Sequence, residues 1–212
     1  MFFDNLLLII FFVSKGFETT AGTLTTLIFE LVSNPKIQEK TYQELVEVLG
    51  TLDPSSEQYY EAVMTRLPYL EAVIKETLRK YPPVVRLDRR CATEGYKLGG
   101  ITLSKGTLVH VPSFAVHRNP AYYPEPEVFK PERFLAENKH LLVPHTYIPF
   151  GIGSRNCVGM RFAYQVLRLM LATILRQFKF TATEGTPDKL QFRSMKPLLN
   201  VEPFPVAVER RN

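Results

Sequence analysis

Apolar residues fall along the chain in runs whose spacing predicts a mainly helical protein. From Leu6 to Val32 they predict one long helix, ended at Ser33-Asn34-Pro35 because proline disfavours helical backbone in the residue before it. Apolar side chains surround its first half, which is therefore expected to be buried. Leu6–Val13 has Asp4 and Asn5 in front, lacks a basic leader and is far below the ~20 residues of a membrane span, so it reads as core helix. Pro35–Leu49 carries an amphipathic stripe of Ile37, Leu45, Val48 and Leu49, with Gly50 as its stop. Ser55–Arg66 reads as a third helix. Leu67-Pro68 opens a fourth that runs to Lys80, with Leu70, Val73, Ile74, Thr77 and Tyr81 on the apolar stripe and Glu76 and Arg79 opposite. Met160–Phe178 is the last, its expected buried face being Phe162, Val166, Leu169, Met170 and Ile174. Lys97–Thr102 and Thr107–Val111, joined through Ser104-Lys105-Gly106, read as a β-hairpin. The proline-rich stretch from Arg118 to Pro149 has little periodicity, and so long a loop usually has a function. Beyond Phe178 the pattern gives short extended pieces split by Pro197, Pro203 and Pro205. The fold class is mainly α with small β-sheets.

Composition narrows the chemistry. With 212 residues, 45% of them hydrophobic, the chain can bury one ordinary core. The net charge of +5 is dispersed, with no basic run of the kind that grips nucleic acid. Two cysteines, Cys91 and Cys157, are too few for a disulfide framework, and a reducing compartment is the default. Cys91 reads as an ordinary buried thiol. His110, His117, His140 and His145 are too scattered for a zinc site, and Cys157 has no Cys or His nearby.

The stretch with the most chemistry is Phe150–Gly159, Phe-Gly-Ile-Gly-Ser-Arg-Asn-Cys-Val-Gly, where Gly151, Gly153 and Gly159 frame Cys157 and Arg155 lies two positions before it. Glycine permits a tight reversal. The start of a helix and a guanidinium both favour an anion beside them, and a thiolate is the form in which sulfur binds a metal or attacks a substrate. Taken alone, Cys157 is an inert core thiol, a metal ligand or a nucleophile. A phosphatase-type nucleophile wants arginine six positions later, where Ala163 stands. In the first helix, Lys15-Gly16-Phe17-Glu18-Thr19-Thr20 sets charge and hydroxyls into an apolar context, which is costly unless they are paired. Read by spacing, that segment is a solvated patch, Glu76 and Arg79 are an exposed pair worth ~0.3–0.5 kcal/mol, and Arg86–Arg90 is a charged turn. Arg161, Arg168 and Arg176 read as a solvated face, or as a docking surface for an acidic electron donor.

Phe150-Gly151-x-Gly153-x-Arg155-x-Cys157-x-Gly159 resembles the heme-binding signature of the cytochromes P450 without a departure. Gly16, Glu18, Thr19 and Thr20 are similar to that family's oxygen-groove helix, Glu76-Thr77-Leu78-Arg79 to its Glu-x-x-Arg motif, and Pro131-Glu132-Arg133-Phe134 to the segment bearing its second arginine. The order is the family's order, and the flanking sequence is most similar to the animal microsomal branch. The resemblance implies heme b as cofactor, with Cys157 as the axial iron ligand. It implies that Phe150 shields the sulfur and that Arg89 and Arg155 hold propionates. It implies that Glu18 and Thr19 relay protons, and that Glu76, Arg79 and Arg133 form a buried structural cluster. Lys15 departs from the family pattern, which has a small residue there, and lies one helical turn before Thr19.

The implied reaction is monooxygenation: one atom of dioxygen enters a small hydrophobic organic substrate, with electrons from an NADPH-dependent reductase at the endoplasmic reticulum membrane. Family members are more than twice this length. Residues 1–212 are thus expected to be the C-terminal, heme-ligand-bearing portion of the cytochrome P450 fold, without the N-terminal half or membrane anchor. The absence of tryptophan agrees with missing tryptophan contacts to the second propionate. Weak heme binding and slow or no turnover by the isolated chain are the expectation. The alternative reading is a catalytically inactive heme-binding fragment.

Overall fold

The computed structural model describes residues 2–194 and 198–211, with side chains described from Gly16 onward except at Ser194. Burial of the helix's first half and the placement of the Lys15 side chain therefore lie outside the described residues.

Helix α1 spans Phe2–Ser33, four residues earlier in its start than the apolar run predicts. Its end is where the proline rule puts it: the Asn34 N–H and Nδ2 both donate to the Glu30 carbonyl (2.9 and 2.8 Å), and Pro35 opens α2, Pro35–Leu49. Proline is tolerated there because the first helical N–H has no intrahelical partner. Helix α3 is Glu57–Thr65, where the Ser56 hydroxyl accepts the Tyr59 N–H. Helix α4 is Pro68–Lys80 and α6 is Met160–Gln177, with the short α5 at Ser113–Val116. Leu27 and Leu31 of α1, Leu45 and Leu49 of α2, Leu70 and Ile74 of α4, and Leu171 and Leu175 of α6 meet in one core with almost no exposed surface. Each such leucine contributes roughly 1.5–3 kcal/mol by leaving water. Gln38 is buried among them because its amide is satisfied at both ends: Nε2 donates to the Leu31 and Phe180 carbonyls and Oε1 accepts the Phe180 N–H.

Several sequence expectations change. On α6, Phe162 is 69% exposed and Met170 40%, while Leu167, Leu171, Ala172 and Leu175 are buried. The helix is turned so that the row of leucines four apart meets α1, α2 and α3. Gly50 ends α2 as expected, but not in the left-handed conformation: its φ is −57° and its N–H donates to the Val46 carbonyl. Arg168 is not solvated, since it pairs with Glu71 at 2.7 Å.

Among the described residues the strands form four two-stranded antiparallel pairs. Residues 97–102 are not one strand. The chain reverses inside them at Gly99 and Gly100, whose φ values of +54° and +85° suit a two-residue hairpin turn, so β2 (Tyr96–Leu98) pairs with β3 (Ile101–Leu103). β4 (Leu108–Val111) pairs instead with β1 (Leu87–Arg90), the stretch whose charge suggested a turn. Ser104–Gly106 brings the chain back to Cys91, whose N–H and carbonyl bond to Thr107 and Gly106. Cys91 is only half-buried, and its thiol donates to the Thr93 carbonyl. β5 (Phe178–Thr181) pairs with β8 (Ala207–Arg210), and β6 (Phe192–Ser194) with β7 (Asn200–Val201).

Candidate active site

The loop before α6 is built from backbone bonds that only a flexible chain can make. Gly151 (φ +72°) and Gly153 (φ +76°) occupy the left-handed region, so a side chain at either is strained. The Gly151 N–H donates to Ile148, the Asn156 N–H to Gly153, and the Cys157 N–H reaches back to the Phe150 carbonyl at 2.8 Å. Gly159 then caps α6, and Cys157 sits two residues before it. The Cys157 thiol is exposed rather than packed in hydrocarbon. Its neighbours in sequence are exposed as well, Ile152 at 50%, Val158 at 80% and Phe162 at 69%. Apolar side chains left in the open beside an accessible thiol suit a flat apolar group with sulfur at its face. Arg155 and Arg89 are exposed, Arg89 donating only to the neighbouring Asp88 carbonyl among the described residues. A guanidinium is suited to a planar carboxylate. The Phe150 ring lies against Tyr164, centroids 5.2 Å apart, and packs on the core.

Glu18 and Thr19 line a narrow groove with Thr26, Tyr81, Pro83 and the segment Leu198–Asn200. Glu18 is exposed and Thr19 half-buried, its hydroxyl 3.4 Å from the Gly16 carbonyl. The Thr23 and Thr25 hydroxyls bond one turn back, to the Thr19 and Ala21 carbonyls. Cys157 does not line this groove, although α1 and α6 share the core. Below it, buried Glu30 accepts Tyr81 Oη at 2.6 Å and Lys80 Nζ at 2.7 Å, tying α1 to the end of α4. Burial and the Glu30 charge hold the Tyr81 phenol above its usual range.

The structure brings Glu76, Arg79 and Arg133 together. Glu76 and Arg79 are wholly buried and joined by two bonds, Nε to Oε2 at 2.8 Å and a terminal nitrogen to Oε1 at 2.9 Å. Arg133 Nε lies 3.4 Å from Glu76 Oε1, and the Lys130 N–H donates to the same oxygen. Arg79 also donates to the His117 and Pro126 carbonyls. The face that spacing assigned to solvent is covered by residues 117–133, so the pair is not exposed.

Sequence reasoning missed His117. It is fully buried, its Nδ1 lies 3.1 Å from the Arg79 carbonyl, and its Nε2 accepts the Ile148 N–H at 2.9 Å. Since Nε2 must accept, Nδ1 carries the proton and donates. The imidazole thus links the Glu76–Arg79 cluster to the start of the cysteine loop. Nothing local in the sequence marks it apart from the other histidines.

A family model described as Cytochrome P450 matches residues 6–208. The chain is 39% identical over 203 residues to mouse cytochrome P450 3A41 and 38% identical over 203 residues to human cytochrome P450 3A7. Each alignment covers 96% of this chain and 39% of the relative, so the chain spans about two fifths of those proteins. Cytochrome P450 3A19 of Capra hircus aegagrus is 41% identical over 180 residues, which are 85% of this chain and 80% of that one.

Proposed function

The chain belongs to the cytochrome P450 family, and on that premise we propose that it is the heme-ligand-bearing part of a heme-thiolate monooxygenase. The observation that carries this reading is the accessible Cys157 thiol, held by the Gly151–Gly153 reversal at the start of α6 beside exposed apolar side chains. In this reading the Cys157 thiolate would bind the iron of heme b, Arg155 and Arg89 would hold its propionates, and Phe150 would limit water at the sulfur. When bound, the cofactor supplies the activation of dioxygen, one atom of which enters the substrate while the other leaves as water. Thr19 holds a proton at its hydroxyl, which both accepts and donates, and Glu18 replenishes it from solvent. Glu76, Arg79, Arg133 and His117 act through structure, fixing the loop that presents the thiol. A small hydrophobic organic substrate, an NADPH-dependent reductase as electron donor and an endoplasmic reticulum address follow, as parts of the same proposal, from the resemblance to the animal microsomal branch. Among the described residues no helix is long and apolar enough to cross a membrane.

The test is the absorption spectrum of the full chain loaded with heme, reduced and exposed to carbon monoxide, beside Cys157→Ala. The expected result is a strongly red-shifted band that the variant loses. Heme uptake indifferent to the substitution overturns thiolate ligation. The red-shifted band without oxidation of any organic substrate, when reductase is supplied, returns the chain to an inactive heme binder.

A further inference from the structure

Away from the cysteine loop, a cleft of about 360 Å³ opens between the Tyr122–Lys130 segment and the 3-10 turns at Pro131–Phe134 and Ala136–Leu141. That volume lies within the roughly 300–1,000 Å³ of small-molecule sites. Its wall is mostly apolar, from Tyr122, Pro124, Leu141, Leu142 and Val143, and Leu141 is 65% exposed. Lys130 and Arg133 line the same cleft.

The charge balance beneath it is uneven. Glu76 is the one carboxylate in the buried cluster, and Arg79 already takes both of its oxygens. Arg133, with only 10% of its side chain exposed, is left with a long 3.4 Å contact and the Glu125 carbonyl. Two guanidiniums against one carboxylate leave an excess positive charge, and Arg133 carries it to the cleft. Two nearby acids are engaged elsewhere, Glu132 by Lys40 and Tyr69 and Glu127 by Arg118. Glu125 is the acidic member of the lining, on an exposed residue, and it opposes one of the two cations. Lys130 makes no ion pair among the described residues.

We propose that this cleft binds a small organic anion with an apolar body, an aryl or alkyl carboxylate or sulfonate. Its head group lies between Lys130 and Arg133 and its body against Tyr122, Leu141 and Leu142. The proposal is independent of heme and of Cys157. The test titrates the full chain with 4-phenylbutyrate and with its uncharged amide, followed by calorimetry and by amide NMR shifts, in wild type, Lys130→Glu and Leu141→Asp. Both substituted residues are exposed, so folding is retained and circular dichroism verifies it. The expected result is carboxylate binding with shifts confined to residues 121–143. The amide and each variant bind at least about fivefold more weakly, corresponding to roughly 1 kcal/mol. No carboxylate binding, equal affinity for the amide, shifts outside the cleft, or affinity unchanged in Lys130→Glu would each overturn the proposal.

Discussion

His117 illustrates how burial sets a residue's chemistry. Its imidazole pKa is pulled down to about 4, first by loss of solvent and then by the Arg79 and Arg118 charges, against the opposing bond to the Arg79 carbonyl. In the unfolded chain it titrates near 6.5. Between those values the unfolded chain binds a proton that the folded one excludes. Stability from this group is therefore full above about pH 6.5 and falls as pH drops toward 4, by up to roughly 3 kcal/mol. Urea unfolding measured from about pH 7 to 5 is expected to show that slope. His117→Gln is expected to be less stable at neutral pH but flatter across the window; an unchanged slope would remove His117 as the source. Nothing in the spacing of the four histidines marks this, because the partners, Arg79 and Ile148, lie far away in the chain.

Helix α4 shows what periodicity reads well and what it reads badly. Its apolar stripe is legible, and Leu70, Val73, Ile74, Thr77 and Tyr81 are all buried. Its opposite face, with Glu76 and Arg79 three apart, has the spacing of a solvent-exposed pair and is instead roofed by the 117–133 segment. The two situations differ greatly in energy. Removing one partner from a buried cluster costs ~3–5 kcal/mol, against at most ~1 kcal/mol at a surface. Glu76→Gln, which leaves two guanidiniums without a carboxylate, is expected to lower the denaturant midpoint by an amount in the first range; a loss below ~1 kcal/mol contradicts the buried cluster. On α6 the error runs the other way. Counting large apolar residues inward selects Phe162 and Met170, which are exposed, because neighbouring helices accept the leucine row instead.

At the scale of the molecule, stability is concentrated in the packing of α1, α2, α4 and α6, with α3 packed against α6. The β2–β3 hairpin has nearly all its residues exposed and, among the described residues, pairs with no other strand. Native-state hydrogen exchange is expected to follow that division. Amides of Leu70–Leu78 are expected to exchange only through global unfolding, and those of Tyr96–Leu103 through cheap local opening. Equal protection in both segments would show that the hairpin belongs to the cooperative core. In the proposed reading, α1 carries Glu18 and Thr19 and α4 carries Glu76 and Arg79, while Cys157 is on the loop just before α6.

The sequence by itself determined the helices, the proline-marked breaks and the cysteine loop, because these depend on local backbone preference and on spacing that a linear pattern records. It also held the motif order that marks the family. Only the tertiary structure decided which polar residues were buried, that β4 pairs with β1, and that His117 bridges α4 to the loop. Those outcomes depend on what packs over a given face, and the covering residues are distant in sequence, so no local pattern encodes them.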